Sequence, residues 1–182
     1  MMQTFKGEKM LKYILAAVIM IAMSGCSGKE AKVNAPKHMK SKMGKMQMFQ
    51  SVPVKKATLL QSGDKKMHCI NCGMNLPMFY KTNHASTIDG KPRQYCSIHC
   101  LAKDIIDGKK VEDIKVIDTN SLGFMNAKNA WYVLGSNKKG TMSKVSKYAF
   151  ATKEAAEVFA KENGGHIGRF EDALSLAKKD FQ

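Results

Sequence analysis

The sequence predicts an α+β fold made of a duplicated unit, and three observations carry that prediction. Two stretches of strand-like residues each lead to a turn signal, each is followed by a segment of helical period, and both halves run strand, strand, helix. Tyr95 to Cys100 in the first half stands where Tyr148 to Ala155 stands in the second.

The folded part starts near Pro53. Met78 to Tyr80 and His84 to Ile88 read as extended segments leading to Asp89-Gly90, a hairpin turn dipeptide, and a strand then runs through Arg93 to Tyr95. Ser97 suits the N-cap of a helix from Ile98 to Asp107, Gly108 ends it, and the alternating segment Val111 to Asp118 supplies another strand. In the second half Ala130 to Leu134 is a strand, Lys138-Lys139-Gly140 a turn and Ser146 to Phe150 a strand. Thr152 caps a helix from Lys153 to Asn163 that lines one face with Ala155, Ala156, Val158 and Phe159 and stops at Gly164-Gly165. A further helix carries Phe170, Ala173, Leu174 and Ala177, and Trp131 belongs to the core.

Before Pro53 the composition changes twice. Lys6, Lys9 and Lys12 precede an apolar run, Ile14 to Met23, that is too short for a membrane span of roughly 20 residues and reads as the h-region of a signal peptide. Met23-Ser24-Gly25-Cys26 resembles a bacterial lipobox, which makes Cys26 a lipid anchor and the first mature residue; Met23 stands where leucine is usual. Residues 27 to 51 are rich in Lys, Met, Ser and Gly, show no sustained period and read as a flexible tether. The expected organisation is therefore signal peptide 1–25, tether 26–52, a cysteine-rich unit 53–120 and a second unit 121–182.

The net charge of the whole chain is +15. On an exported lipoprotein that excess points to anionic headgroups or an acidic partner, or to a solvated lysine surface, and not to nucleic acid.

Four cysteines remain once Cys26 is set aside, in the order Cys69-x-x-Cys72 and Cys96-x-x-x-Cys100. Gly73 lets the chain turn the first pair and the Met74 sulfur toward one point. Cys96 just before the helix and Cys100 in its first turn gain from free N–H groups and the helix dipole, which predicts a low-pKa thiol at Cys100. Two such knuckles also describe treble-clef zinc modules. Met74 and Met78 beside one pair, and soft ligands His38, Met39, Met43, Met46 and Met48 in the tether, favour Cu(I), with the tether as an auxiliary collecting site. His68, next to Cys69, and His99, between the second pair, are further candidate ligands; His84 reads as a polar strand residue and His166 as structural or solvent-facing.

At these residues the chain resembles a known family. Cys69-x-x-Cys72-Gly-Met74, Tyr95-Cys96-Ser97, Trp131-Tyr-Val-Leu-Gly-Ser136, Tyr148-Ala-Phe-x-x-x-Glu-Ala-Ala156 and Phe159-Ala-x-x-x-Gly164-Gly165 resemble NosL over residues 65 to 175. The Cys96 to Cys100 portion is also similar to the TRASH-type metal-handling module. The NosL resemblance implies a pair of ββαβ-like units and a non-enzymatic, periplasm-facing copper lipoprotein. Such a carrier binds one Cu(I) and passes it to the maturation of nitrous oxide reductase, with an ABC-type transport complex as partner. It implies Cys72 and Met74 as copper ligands, with Met142 in the second half as a further candidate. The chain departs from the family pattern in carrying Cys96 and Cys100, a pair that can hold a separate zinc ion, complete a thiolate-rich copper site or form a disulfide; i, i+4 thiols around His99 favour coordination.

Three functions compete at this stage. The favoured one is a lipid-anchored Cu(I) carrier without catalytic residues, small-molecule substrate or nucleic acid partner. The others are a structural zinc module for protein interaction and a thiol-disulfide oxidoreductase using Cys69-x-x-Cys72, which lacks the following helical run. Ser27 after Cys26, in place of the aspartate retention signal, favours the outer over the inner membrane.

Overall fold

Asp89 and Gly90 both adopt positive φ, 51° and 70°, the conformation that turns a two-residue hairpin with the right-handed twist of its strands. They join β1 (His84–Ile88) to β2 (Lys91–Tyr95), paired antiparallel from His84 opposite Tyr95 to Ile88 opposite Lys91. In this computed structural model residues 48–182 are described. The expected signal peptide, Cys26 and the tether ligands His38, Met39, Met43 and Met46 lie outside them.

After β2 come α1 (Ile98–Ile106), β3 (Glu112–Ile117) and β4 (Phe124–Asn126). The second half holds β5 (Trp131–Leu134), β6 (Lys147–Phe150), α2 (Lys153–Asn163), β7 (His166–Gly168) and α3 (Phe170–Lys179). The two antiparallel sheets have strand orders β2-β1-β3-β4 and β6-β5-β7. Each therefore sets the first strand of its half in the middle, the second on one side and the strand after the helix on the other. The α+β fold and its internal repeat are as expected.

Several elements differ from expectation for local reasons. Residues Pro77–Thr82 form a 3-10 turn where Met78 to Tyr80 was expected to be extended. Proline at the first helical position presets φ, and the Asn75 side chain accepts from the Met78 N–H at 3.1 Å. Strands β4 and β7, three residues each, are too short to show a period, and β4 extends the first sheet past residue 120. Thr152 caps α2 as expected, accepting from the Ala155 N–H, but Val158 is 58% exposed and only Ala156 and Phe159 of that face are buried. Trp131 is half-buried, with the Arg169 guanidinium 4.2 Å from its ring centroid.

The halves share one core. Tyr95, Cys96, Cys100 and Leu101 cluster with Tyr132, Leu134, Phe170, Ala173 and Ala177, and α1 packs against α3. Gly165, at φ 93°, lies so close to β5 that a Cβ would stand 2.7 Å from the Leu134 carbonyl oxygen, which explains the second glycine of the pair. A satellite cluster of Val133, Tyr148, Phe150 and Phe159 receives Phe49 from the segment entering the fold. No helix among the described residues is long and apolar enough to cross a membrane.

His84 is fully buried, not a polar face residue. The Thr82 carbonyl, 3.0 Å from Nδ1, can only accept, so Nδ1 carries the proton and Nε2 accepts from the Tyr132 hydroxyl at 3.1 Å. Burial pushes the imidazole down to about 4. The unfolded chain takes up its proton near 6.5, the folded chain only near 4, so stability falls as pH drops between those values, by about 3 kcal/mol at most. Thermal melts from pH 7 to pH 4.5 should show this loss in the wild type and a flatter profile in His84→Gln.

Candidate metal centre

Gly73 sits at φ 75°, which lets its N–H reach the Cys69 carbonyl at 2.9 Å while the Cys69 N–H reaches the Met74 carbonyl at 2.8 Å. This tight loop turns Cys69, Cys72 and Met74 toward the end of β2 and the start of α1, where Cys96 and Cys100 stand one helical turn apart. The sulfurs of Cys69, Cys72, Cys96 and Cys100 all lie within 4.8 Å of one another. Cys96 Sγ is 3.5 Å from Cys72 Sγ, 3.8 Å from Cys100 Sγ and 3.9 Å from Met74 Sδ. A tetrahedral ion with metal–sulfur bonds of about 2.3 Å has sulfur–sulfur edges of about 3.8 Å, so the donor set fits a soft metal ion as it stands.

All four cysteines are free thiols; Cys69, Cys96 and Cys100 are buried and Cys72 is exposed. Hydrogen bonds from the Cys100 and Cys96 thiols hold Cys69 below the ordinary thiol range. Cys100, expected to be the low-pKa thiol, is pushed up instead, chiefly by its hydrogen bond to Cys69. A neighbouring thiolate in a buried cluster outweighs the helix dipole. Ser97 occupies the N-cap position, yet its side chain makes no capping bond and its buried Oγ has no partner.

The remaining candidates fall elsewhere. Neither His68 nor His99 joins the thiol group. His99 Nδ1 lies 3.3 Å from Asp180 Oδ2 and the ring stacks on Phe181 at 4.3 Å. Met142, 42% exposed at φ 58° in the loop between β5 and β6, borders a surface depression with His99, Lys144 and Asp180. Met48 and Met78 are exposed.

The family model for NosL matches residues 61–175 of this chain. The chain belongs to the NosL family. A crystal structure described as the copper chaperone NosL from Shewanella denitrificans is 26% identical to it with a TM-score of 0.49, covering 66% of this chain and 96% of that one. No curated protein matches the chain.

This NosL-family chain also braces its cysteine loop in a way the motif does not announce. Asn71, inside the first cysteine pair, donates from Nδ2 to the Cys100 carbonyl at 2.8 Å and to Asp104 Oδ1 at 3.0 Å. Arg93 Nη2 donates back to Asn71 Oδ1 at 2.9 Å. Asp104, fully buried on α1, also accepts from Arg93 Nε at 3.1 Å, from the Tyr95 hydroxyl at 2.8 Å and from Lys109. These bonds tie the loop to α1 with no metal required. The one sequence clue was a carboxylate on the inward face of α1, four residues after Cys100.

Proposed function

We propose that this NosL-family protein is a lipid-anchored, periplasm-facing Cu(I) carrier that holds copper at Cys69, Cys72, Met74, Cys96 and Cys100 and delivers it for the maturation of nitrous oxide reductase. The observation that carries the reading is the Met74 sulfur, 3.9 Å from Cys96 Sγ, standing with the thiols as a neutral, soft fifth donor. Cu(I) accepts thioethers; zinc prefers thiolate, imidazole and carboxylate. Transfer needs an entry point, and Cys72 is the exposed member of an otherwise buried set. An incoming thiolate or thioether of a client can exchange there without opening the core. Cys26 as anchor, a copper enzyme with its ABC-type complex as partners and an outer-membrane position complete the proposal, with no role for nucleic acid or a small-molecule substrate.

The tetrahedral fit of the four sulfurs supports a second reading, a structural zinc module. A competitive Cu(I) chelator titration with elemental analysis, on reduced protein without oxygen, separates the two. Met74→Leu should weaken Cu(I) binding by roughly 10-fold or more, the scale of about 1.4 kcal/mol for a lost ligand contact, and leave zinc affinity unchanged. Equal Cu(I) affinity in wild type and variant removes Met74 from the site. Zinc that copper does not displace establishes the zinc module in its place.

A further inference from the structure

Counting sulfurs against the needs of Cu(I) leads beyond a single bound ion, and the step rests on the copper reading above. Cys96 is the hub of the cluster, within 3.9 Å of Cys72, Met74 and Cys100, and no more than 4.8 Å from Cys69. It therefore belongs to two triangles of sulfur. One, of Cys72, Cys96 and Met74, contains the exposed thiol; the other, of Cys69, Cys96 and Cys100, is buried throughout. A three-coordinate ion with bonds of about 2.3 Å to sulfur has edges of about 4.0 Å, near the Cys72–Cys96 and Cys96–Met74 edges of the first triangle, 3.5 and 3.9 Å, and the Cys96–Cys100 edge of the second, 3.8 Å. The Cys69 sulfur is within 4.8 Å of both others in its triangle.

Charge argues against all four thiolates serving a single Cu(I). A cysteine ligates as thiolate, so four of them around one Cu(I) leave three negative charges uncompensated where three of the four side chains are buried. Unpaired buried charge is strongly unfavourable. The nearby cations do not supply the balance, since Arg93 and Lys109 are already paired with Asp104. A second Cu(I) lowers the excess to the value that one zinc ion would leave.

We propose that the site holds two Cu(I) ions sharing the Cys96 thiolate as a bridge, an outer ion completed by Cys72 and Met74 and an inner ion completed by Cys69 and Cys100. Loading both displaces the thiol protons to solvent, and no electron changes hands. The outer ion is the exchangeable one, because only its triangle includes a sulfur open to a partner. The inner ion sits behind it and stays while the outer one is passed on.

The test is anaerobic titration of the reduced full-length chain in mild detergent with Cu(I), read by native mass spectrometry and copper X-ray absorption. Two coppers per chain should bind, with a short copper–copper vector that grows in as the second enters. A strong chelator should strip one of them at least 10-fold faster than the other. Cys72→Ser combined with Met74→Leu should stop at one slowly released copper, and Cys69→Ser combined with Cys100→Ser at one rapidly released copper. A wild-type plateau at one copper without a copper–copper vector overturns the two-ion site while leaving the Cu(I) carrier standing, and it does not depend on any variant folding. Failure to take up copper at all overturns the carrier reading and the two-ion site with it.

Discussion

Cys96→Ser should cost the site more metal affinity than any other single substitution, on the order of 100-fold or more. The hub sulfur touches three others at 3.5 to 3.9 Å, so its loss breaks the four-cysteine tetrahedron and both triangles that share it. Four-ligand soft-metal sites bind with roughly 10–16 kcal/mol, about 3 kcal/mol for each thiolate, which corresponds to roughly two decades of affinity. Cys72→Ser should lose less, because Met74 remains beside Cys96. The comparison is made by chelator competition on both variants, with melting of the metal-free proteins alongside. Cys96 is buried, so its serine also places a hydroxyl in the core and lowers metal-free stability by about 1–3 kcal/mol; exposed Cys72→Ser should not. An affinity for Cys96→Ser equal to that of Cys72→Ser would remove Cys96 from the centre of the site.

The largest effect on stability is expected at Asp104. Alanine there leaves Arg93, Lys109, the Tyr95 hydroxyl and Asn71 without their shared acceptor, and breaking a buried ion pair from one side costs about 3–5 kcal/mol. Lys109 is partly solvated, so Arg93, Tyr95 and Asn71 account for most of that. Burial alone would raise this carboxyl; hydrogen bonds from Lys109, Tyr95 and Asn71 and the charge of Arg93 more than offset it, and the group titrates below the ordinary carboxylate range. A depressed folded value means that its stabilising contribution is complete above the unfolded value near 3.9 and is lost as pH falls through the lower folded value. Urea unfolding of wild type and Asp104→Asn between pH 7 and pH 2.5 should converge toward the acid end. Asn71 also loses an anchor, so metal affinity should fall about 10–100-fold, the usual cost of removing support behind a ligand. Unchanged affinity in a folded Asp104→Asn protein would show that the loop holds its shape without this network.

Elements with several turns or pairs of residues to declare themselves were legible in the sequence: α1, α2, α3, the Asp89-Gly90 hairpin and the strands of both halves around Tyr95 and Tyr148. Three-residue β4 and β7 were not, because their pairing is decided by partners far along the chain. The cysteine spacing, with Gly73, grouped Cys69, Cys72 and Met74 but left open whether Cys96 and Cys100 complete that group, hold a separate ion or pair as a disulfide; it takes the fold to set Cys96 Sγ 3.5 Å from Cys72 Sγ. The spacing could not foretell that Cys69 is shifted down and Cys100 up, since both shifts come from hydrogen bonds among Cys69, Cys96 and Cys100 that exist only after folding. His84 escaped for the same reason: its partner Tyr132 lies 48 residues away. The same holds for Asn71 and Asp104, ordinary polar residues until the loop and α1 are brought together.

The thiols at 69, 96 and 100 belong to the same apolar cluster as Phe170, Ala173 and Ala177 of the last helix. Under the proposed function, cargo is thus also mortar: an ion at a thousand times its dissociation constant adds about 4 kcal/mol to the folded state. Handing it over subtracts the same amount from a chain whose two repeats meet at that point. For the carrier proposed above, delivery therefore leaves behind a chain that unfolds more easily, and the last helix shares in that change because it packs on the same cluster.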